Sequence, residues 1–439
     1  MKHVLVLGAG LVAKPLVDYL AKKPDTKVTV ASRTVSKAEK LVHAYAHCQA
    51  KPLNLKDDAA LEKEISAADI VISLVPYTFH TKVARYCIAH GKDMVTTSYV
   101  SQEMADLHKQ AEDKGILILN EIGLDPGIDH MSAMKIIHEI EDKGGHVESF
   151  RSFCGGLPAP DDNDNPWGYK FSWSPRGVVM AGKNTARWLE EGKEINVPGP
   201  QLFANHWPMH IDPIGSLEFY PNRDSVPYID KYGLHQARTM FRGTIRYPGW
   251  CKLWLGLVKA NILDDTPLAD SASLTYKQWL ARTAGVSPSD VRSGLAAKLG
   301  IAADSAVIEK MEWLGLFADD KIGLENTASM DILVHLLLEK LTYKPGEKDM
   351  IILHHEFIAA YATGKEKVLS TLVDFGVPHG ETSMSRTVSL PAAIATGLIL
   401  DGRIKAKGVK IPVHGEIYLP VLSELKKLGI SFEDKTIPQ

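Results

Sequence analysis

Gly8, Gly10 and Ala13 stand at the spacing G-x-G-x-x-A inside KHVLVLGAGLVA, residues 2–13. Each small residue has its own use in a phosphate-binding turn. Gly8 permits a tight turn, Gly10 lets the backbone approach a pyrophosphate, and Ala13 lets helix and strand pack closely. Leu11 and Val12 lie within the turn, and the N–H groups that open the next helix would hold phosphate oxygens. His3–Leu7 reads as a buried parallel strand and Lys14–Lys22 as a helix, so the glycines sit in the strand–turn–helix context that a dinucleotide site requires.

The next strand, Lys27–Ala31, decides the cofactor. An NAD-binding unit places a carboxylate about 20 residues after the glycines, to accept from the ribose 2′-hydroxyl. This chain has Ala31, then Ser32, Arg33 and Thr34. A guanidinium suits a 2′-phosphate, because it is always charged and offers two parallel donors. The expected cofactor is NADP(H).

The elements that must position these residues alternate through about residue 123. Ala68–Val75, Asp93–Thr97 and Ile116–Leu119 read as strands, and Thr78–His90 and Ser101–Gly115 as helices. Beyond about residue 145 come strands at Glu148–Cys154, Leu217–Tyr220 and Thr239–Tyr247. A helical stretch, Trp250–Tyr343, carries Tyr276–Thr283, Ser289–Leu299, Ser305–Leu316 and Thr327–Leu341. Met350–Tyr361 and Lys365–Phe375 read as a hairpin about Gly364, and Val388–Leu400 as a packed helix with Pro391 in its first turn. The expected fold is α/β. A Rossmann domain spans 1–125 with a return segment near 385–422, a mixed α+β sheet domain spans 126–248 and 345–384, and a helical domain is inserted at 249–344.

Composition narrows the function. Of 439 residues, 50 are Lys or Arg and 53 are Asp or Glu, so no basic surplus argues for nucleic acid and no charged block marks a tail. Cys48, Cys87, Cys154 and Cys251 form no C-x-x-C pair, which fits free thiols in a reducing cytosol. No apolar run is expected to span a bilayer and no signal-like segment precedes the first strand, so a cytoplasmic protein is expected. Asp161–Asn165 starts like a calcium loop, but Pro166 and Ser172 replace the glycine and glutamate it would need. His354 and His355 are adjacent and point to opposite strand faces. No metal site is expected.

Five longer motifs carry a family resemblance. They are Val95–Tyr99 (VTTSY), Gly123–His130 (GLDPGIDH), Cys154–Pro160 (CGGLPAP), Asp164–Pro166 with Gly168–Ser174 (DNP, GYKFSWS), and Pro221–Ser225 (PNRDS). Together they resemble the NADP-dependent, glutamate-forming saccharopine dehydrogenases, also called saccharopine reductases, from residue 2 to beyond Gly408. The resemblance implies a Rossmann domain, a mixed-sheet domain with dimer contacts and a helical insertion. It implies reduction by NADPH of the imine formed from L-glutamate and 2-aminoadipate 6-semialdehyde, giving saccharopine, and the reverse reaction. It carries cofactor contacts onto Gly10, Leu11, Val12, Ala13, Ser32, Arg33, Thr34, Val75, Thr97, Ser98, Leu124, Asp125, Pro126 and Ser174. Substrate contacts fall on Ser98, Tyr99, Asp125, Arg223, Thr244, Ile245 and Arg246. Asn54-Leu55 and Gly380–Ser385 depart from the relatives' pattern, and no site is assigned there.

Saccharopine has three carboxylates, which need fixed cations, and Arg223 and Arg246 each lie near an expected strand end. Imine formation and hydrolysis need proton transfers near neutral pH. Asp125, followed by Pro126 in a loop at a strand end, is the first candidate. Tyr99 could donate through its hydroxyl, and Cys154 opens what reads as a Cys-Gly-Gly turn. Asp129 reads as a helix cap. Two other readings stand: a related dehydrogenase making a carboxylated polyamine, whose cationic tail would need acidic groups where this chain has arginines, and a non-catalytic NADPH-sensing module.

Overall fold

The computed structural model describes residues 1–439. The chain folds as two compact units. One comprises Met1–Val147, Ala359–Glu366 and Ser370–Gln439, and the other Glu148–Ile358 and Lys367–Leu369. This differs from the three-part division above. Helix Ile128–Asp142 packs against helix Gly415–Lys427 within the first unit, and the helical stretch does not separate from the second.

The first unit is built on parallel strands β1 (Lys2–Leu7), β2 (Thr26–Ser32), β3 (Gln49–Pro52), β4 (Ile70–Ser73), β5 (Asp93–Val95) and β6 (Leu117–Leu119). With strand Gly408–Lys410 at one edge, their order is Gly408–Lys410, β6, β5, β4, β1, β2, β3. All neighbours are parallel, and β1 lies between β2 and β4. The strand order therefore reverses at β1, and ligands of doubly wound sheets bind in the crevice beyond the carboxyl ends of the strands at such a point. Val4, Leu5, Val6 and Leu7 are all fully buried, as in a sheet covered on both faces.

Local rules explain most boundaries. Helix His80–His90 stops at Gly91 in the left-handed conformation, φ +62°. The Ser101 hydroxyl caps Gln102–Ala105 by accepting from Met104 N–H at 3.2 Å, but the expected single helix to Gly115 is broken before His108–Asp113. Pro391 is inside a helix, not in its first turn. The Thr382 side chain accepts from Ser385 N–H at 3.0 Å, so the helix begins at Ser383 and runs to Leu400. This helix is long and apolar enough by composition to cross a membrane, yet most of it is buried against the unit's own strands and helices.

The second unit has a mixed sheet. Strand Thr239–Arg246 runs parallel to His146–Pro158 and antiparallel to Gly215–Pro221, and Asp349–Tyr361 lies on the far side of His146–Pro158. Helices Trp250–Lys259, Tyr276–Ala284, Val291–Leu299, Ala306–Leu314 and Ser329–Lys340 follow the expected periodicity, with Trp254 and Trp279 fully buried. Thr275 and Gln278 form a reciprocal cap at the start of Tyr276–Ala284.

Candidate active site

The turn after β1 has the geometry that its small residues imply. Gly8 has φ +112°, and a Cβ there would lie 2.8 Å from the Leu74 carbonyl oxygen. Only glycine satisfies both demands. A Cβ on Gly10 would meet nothing within 4 Å, so the protein itself does not need glycine at that place. The room above it fits a close-lying pyrophosphate. Helix Ala13–Ala21 begins without a side-chain cap, so no side chain occupies the place of a phosphate; the Ala13 N–H donates to the Gly10 carbonyl at 3.2 Å. Leu11 is 75% exposed. Arg33 and Thr34 are exposed at the end of β2, before helix Val35–Val42. The residues present fit a dinucleotide.

Beyond the ends of β4, β5 and β6, the loops form a hydrogen-bonded cluster. The Tyr99 hydroxyl donates to Asp125 Oδ1 at 2.9 Å. These two candidates, 26 residues apart, are thus one unit. Asp125 sits in a closed loop in which Gly123 N–H donates to the Pro126 carbonyl at 2.9 Å and Ile128 N–H to the Gly123 carbonyl at 2.8 Å. The Asp125–Pro126 peptide is cis. A Cβ on Gly127 would fall 2.0 Å from the Gly123 oxygen, so the loop closes only with glycine there. Asp129 Oδ1 accepts from Gly127 N–H at 2.6 Å, which accounts for its place in the first helical turn.

His80 and Glu121 belong to this cluster and were not singled out by sequence. The His80 ring bridges Ser73 Oγ at Nδ1 and Ser98 Oγ at Nε2, both at 2.8 Å. Burial pushes its pKa down to about 4. The imidazole is therefore neutral near pH 7 and orients the Ser98 hydroxyl without adding charge. A histidine with a depressed folded pKa favours the native state less as it is asked to protonate. Stability is expected to fall as pH drops from about 6.5 towards 4, by on the order of 3 kcal/mol from this group. Denaturant unfolding at pH 7 and pH 4.5 should show a flatter pH dependence in His80→Gln. Identical slopes in variant and wild type would dismiss the assignment.

In the second unit the informative residue is Arg246, the last of its strand and only 5% exposed. Its Nη1 donates to the Ile245 carbonyl at 2.7 Å, and its Nε has no hydrogen-bond partner. The guanidinium lies 5.1 Å from the Tyr169 ring centroid and 5.2 Å from that of Trp250. Glu218 is its cross-strand neighbour, but the Glu218 carboxylate accepts from Gly249 N–H at 3.0 Å and Cys251 N–H at 2.7 Å. The adjacent carboxylate is thus engaged with the opening of helix Trp250–Lys259. A buried guanidinium set against two adjacent aromatic rings is poised for an anion from outside the chain.

Arg223 is exposed, with φ +55°, just past Gly215–Pro221. Pro221 pairs with Gly243 and Glu218 with Arg246, so Arg223 and Arg246 are about five residues apart in register. At roughly 3.3 Å per residue this is some 16 Å along the sheet. The structure does not cluster the two arginines, and they suit separate carboxylates of an extended ligand. Thr244 pairs with Cys154 on one side and Tyr220 on the other.

Cys154-Gly155-Gly156 is not a turn. Strand His146–Pro158 runs straight through it, and a Cβ on Gly155 would lie 2.7 Å from the Ile245 oxygen. The glycine permits close strand approach, which imitates a turn signal in sequence. Ser174 caps helix Pro175–Met180, its Oγ accepting from Gly177 N–H at 3.2 Å. At the departing pair, Asn54 Oδ1 accepts from Lys56 N–H and the Leu55 carbonyl from Lys82 Nζ.

A parallel sheet with this turn at its switch point, joined in one chain to a sheet unit presenting a buried arginine, defines a dinucleotide-dependent oxidoreductase. Comparison with known proteins is specific. Residues 4–119 match the saccharopine dehydrogenase NADP binding domain and residues 123–430 the saccharopine dehydrogenase C-terminal domain. The chain is 39% identical to saccharopine dehydrogenase [NADP(+), L-glutamate-forming] of Schizosaccharomyces pombe and 42% identical to that of Saccharomyces cerevisiae, covering at least 99% of both chains in each pair. It is 40% identical to the mitochondrial alpha-aminoadipic semialdehyde synthase of Bos taurus, of which it spans 47%. The solved apo saccharopine dehydrogenase (L-Glu forming) from Saccharomyces cerevisiae superposes with a TM-score of 0.92, at 40% identity and with full coverage of both chains. The chain belongs to the saccharopine dehydrogenase family and is an NADP-dependent oxidoreductase.

Proposed function

We propose that this enzyme joins L-glutamate to 2-aminoadipate 6-semialdehyde and reduces the product to saccharopine, and runs the reverse reaction, in lysine metabolism. The amine adds to the aldehyde and loses water to give an imine. Hydride then enters at the imine carbon and the nitrogen takes up a proton. NADP(H), when bound, supplies or takes up that hydride. The observation that carries the reading is Arg246, a buried guanidinium whose partners are a carbonyl and two aromatic faces. A multiply carboxylated substrate supplies what it lacks, and the cationic tail of a carboxylated polyamine would not.

In this reading Arg246 and Arg223 each bind a carboxylate, with Thr244 and Ile245 lining the strand beside Arg246. Asp125 holds the substrate amine and accepts or returns its proton, and Tyr99 donates to Asp125 and orients it. Ser98, held by the neutral His80, offers a hydroxyl to substrate or cofactor. Cys154, half-buried opposite Thr244, contacts the substrate. Ser174 adds a cofactor contact to its capping role. The test is NADPH consumption with both glutamate and the semialdehyde present and each omitted in turn. Turnover only with both supports the reading; consumption that ignores either one rejects it.

Arg33 takes the 2′-phosphate. Arg33→Ala should weaken NADPH roughly 10- to 100-fold and leave NADH nearly unchanged. Titrations that show equal losses for both cofactors would reject that role. We also read the protein as a cytoplasmic homodimer. The family resemblance and four free thiols support this. Sedimentation and cell fractionation test it.

A further inference from the structure

We propose that Glu121 is a positioning residue that sets the Tyr99–Asp125 pair, an inference that rests on the role given to that pair above. Glu121 is fully buried just after β6, in the left-handed backbone region, φ +56°. Glutamate rarely adopts that conformation, and such outliers persist where the surroundings over-determine them. Here three groups hold it. Its N–H donates to the Ser98 carbonyl at 3.1 Å, and its Oε1 accepts from Val100 N–H at 3.0 Å. The two bonds bracket a single residue, Tyr99, and so fix the backbone from which the phenol reaches Asp125. Its Oε2 lies 2.8 Å from Nε2 of His130, itself fully buried.

His130 stands in the first turn of helix Ile128–Asp142, directly after the loop that carries Asp125. One carboxylate therefore ties together the segment bearing the phenol and the helix behind the loop bearing the acid. Each arm of the 2.9 Å Tyr99–Asp125 bond is referenced to the same buried group. A site held this way keeps its reacting geometry without ordering cost at each turnover. Glu121 touches neither reacting atom.

Steady-state saccharopine oxidation and NADPH titration of Glu121→Gln, Asp125→Asn and the double variant test this. Glu121→Gln keeps the shape but replaces one accepting oxygen by an amide. Its kcat should fall 10- to 100-fold, with NADPH affinity within twofold of wild type. In the Asp125→Asn background the same change should cost less than threefold, because the proton-exchanging carboxylate that it positions is already gone. A purely structural glutamate would cost the same in both backgrounds, and that result, or a kcat within twofold of wild type, overturns the proposal. If Glu121→Gln does not bind NADPH, His130 decides. His130→Gln, which can still donate to Oε2, should retain kcat within threefold, whereas His130→Leu should lose tenfold or more. Equal rates in those two variants overturn it as well. A wild-type rate in Asp125→Asn alone would instead reject the role given to the pair itself.

Discussion

Arg246→Met is expected to lower kcat/KM for saccharopine roughly 30-fold to several thousandfold, while making the free enzyme no less stable. Truncating one partner of a buried, hydrogen-bonded charge pair costs about 2–5 kcal/mol, and each 1.4 kcal/mol is about tenfold. In the role proposed for Arg246, the charge pair forms only when substrate binds. In the free enzyme the guanidinium is 5% exposed, its Nε has no partner, and its neighbouring carboxylate Glu218 is bonded to Gly249 and Cys251 N–H groups. A desolvated charge in that state is a cost, and an apolar side chain of similar length relieves it. Methionine can keep the contact with Tyr169 and Trp250. Kinetics and denaturant unfolding of the same preparation separate the possibilities. Unchanged kcat/KM would remove Arg246 from the site. A loss of several kcal/mol in stability with little kinetic effect would make it a structural stacking residue.

Asp125→Asn should cost roughly 10²–10⁴-fold in kcat if the carboxylate exchanges a proton with the substrate nitrogen. The substitution preserves shape, and the carbonyl oxygen of the introduced amide can still accept from the Tyr99 hydroxyl, so the loop closed by Gly123 and Gly127 should persist. What is lost is the ability to hold negative charge beside a developing iminium and to take up a proton. The pH–rate profile identifies which matters. A limb present in wild type and absent in Asp125→Asn marks direct proton transfer, and a smaller loss with the limb retained marks positioning of the amine. A folded variant with wild-type rate and affinity would leave Asp125 only its part in the turn.

The cofactor-binding turn was legible in sequence because its determinants are local. Gly8, Gly10 and Ala13 act through backbone conformation and closeness within one turn, and the missing carboxylate near Ala31 is a single position after a recognisable strand. The proposed substrate residues were legible only in part. Arg223, Arg246, Asp125 and Tyr99 came from motif resemblance, and spacing alone did not separate a binding arginine from a salt bridge. Local reading failed where distant chain decided. Cys154-Gly155-Gly156 looked like a turn because paired glycines favour one, but the glycine at 155 exists for the backbone of Ile245. Pro391 looked like a helix start because the cap that begins the helix lies nine residues before it, at Thr382.

By itself the sequence determined most element types, the alternation of a doubly wound α/β unit and the preference for a 2′-phosphate, since periodicity, glycine conformation and side-chain charge belong to the chain before it folds. The tertiary structure decided the partnerships. His80 meets Ser98 across 18 residues, Tyr99 meets Asp125 across 26, and Glu121 reaches both Val100 and His130. It also decided that Arg246 would be buried against two adjacent aromatic rings while Glu218 beside it turned to a helix end. Such pairings depend on which strand ends lie side by side and on which groups are removed from water, and both are set only when the sheets assemble.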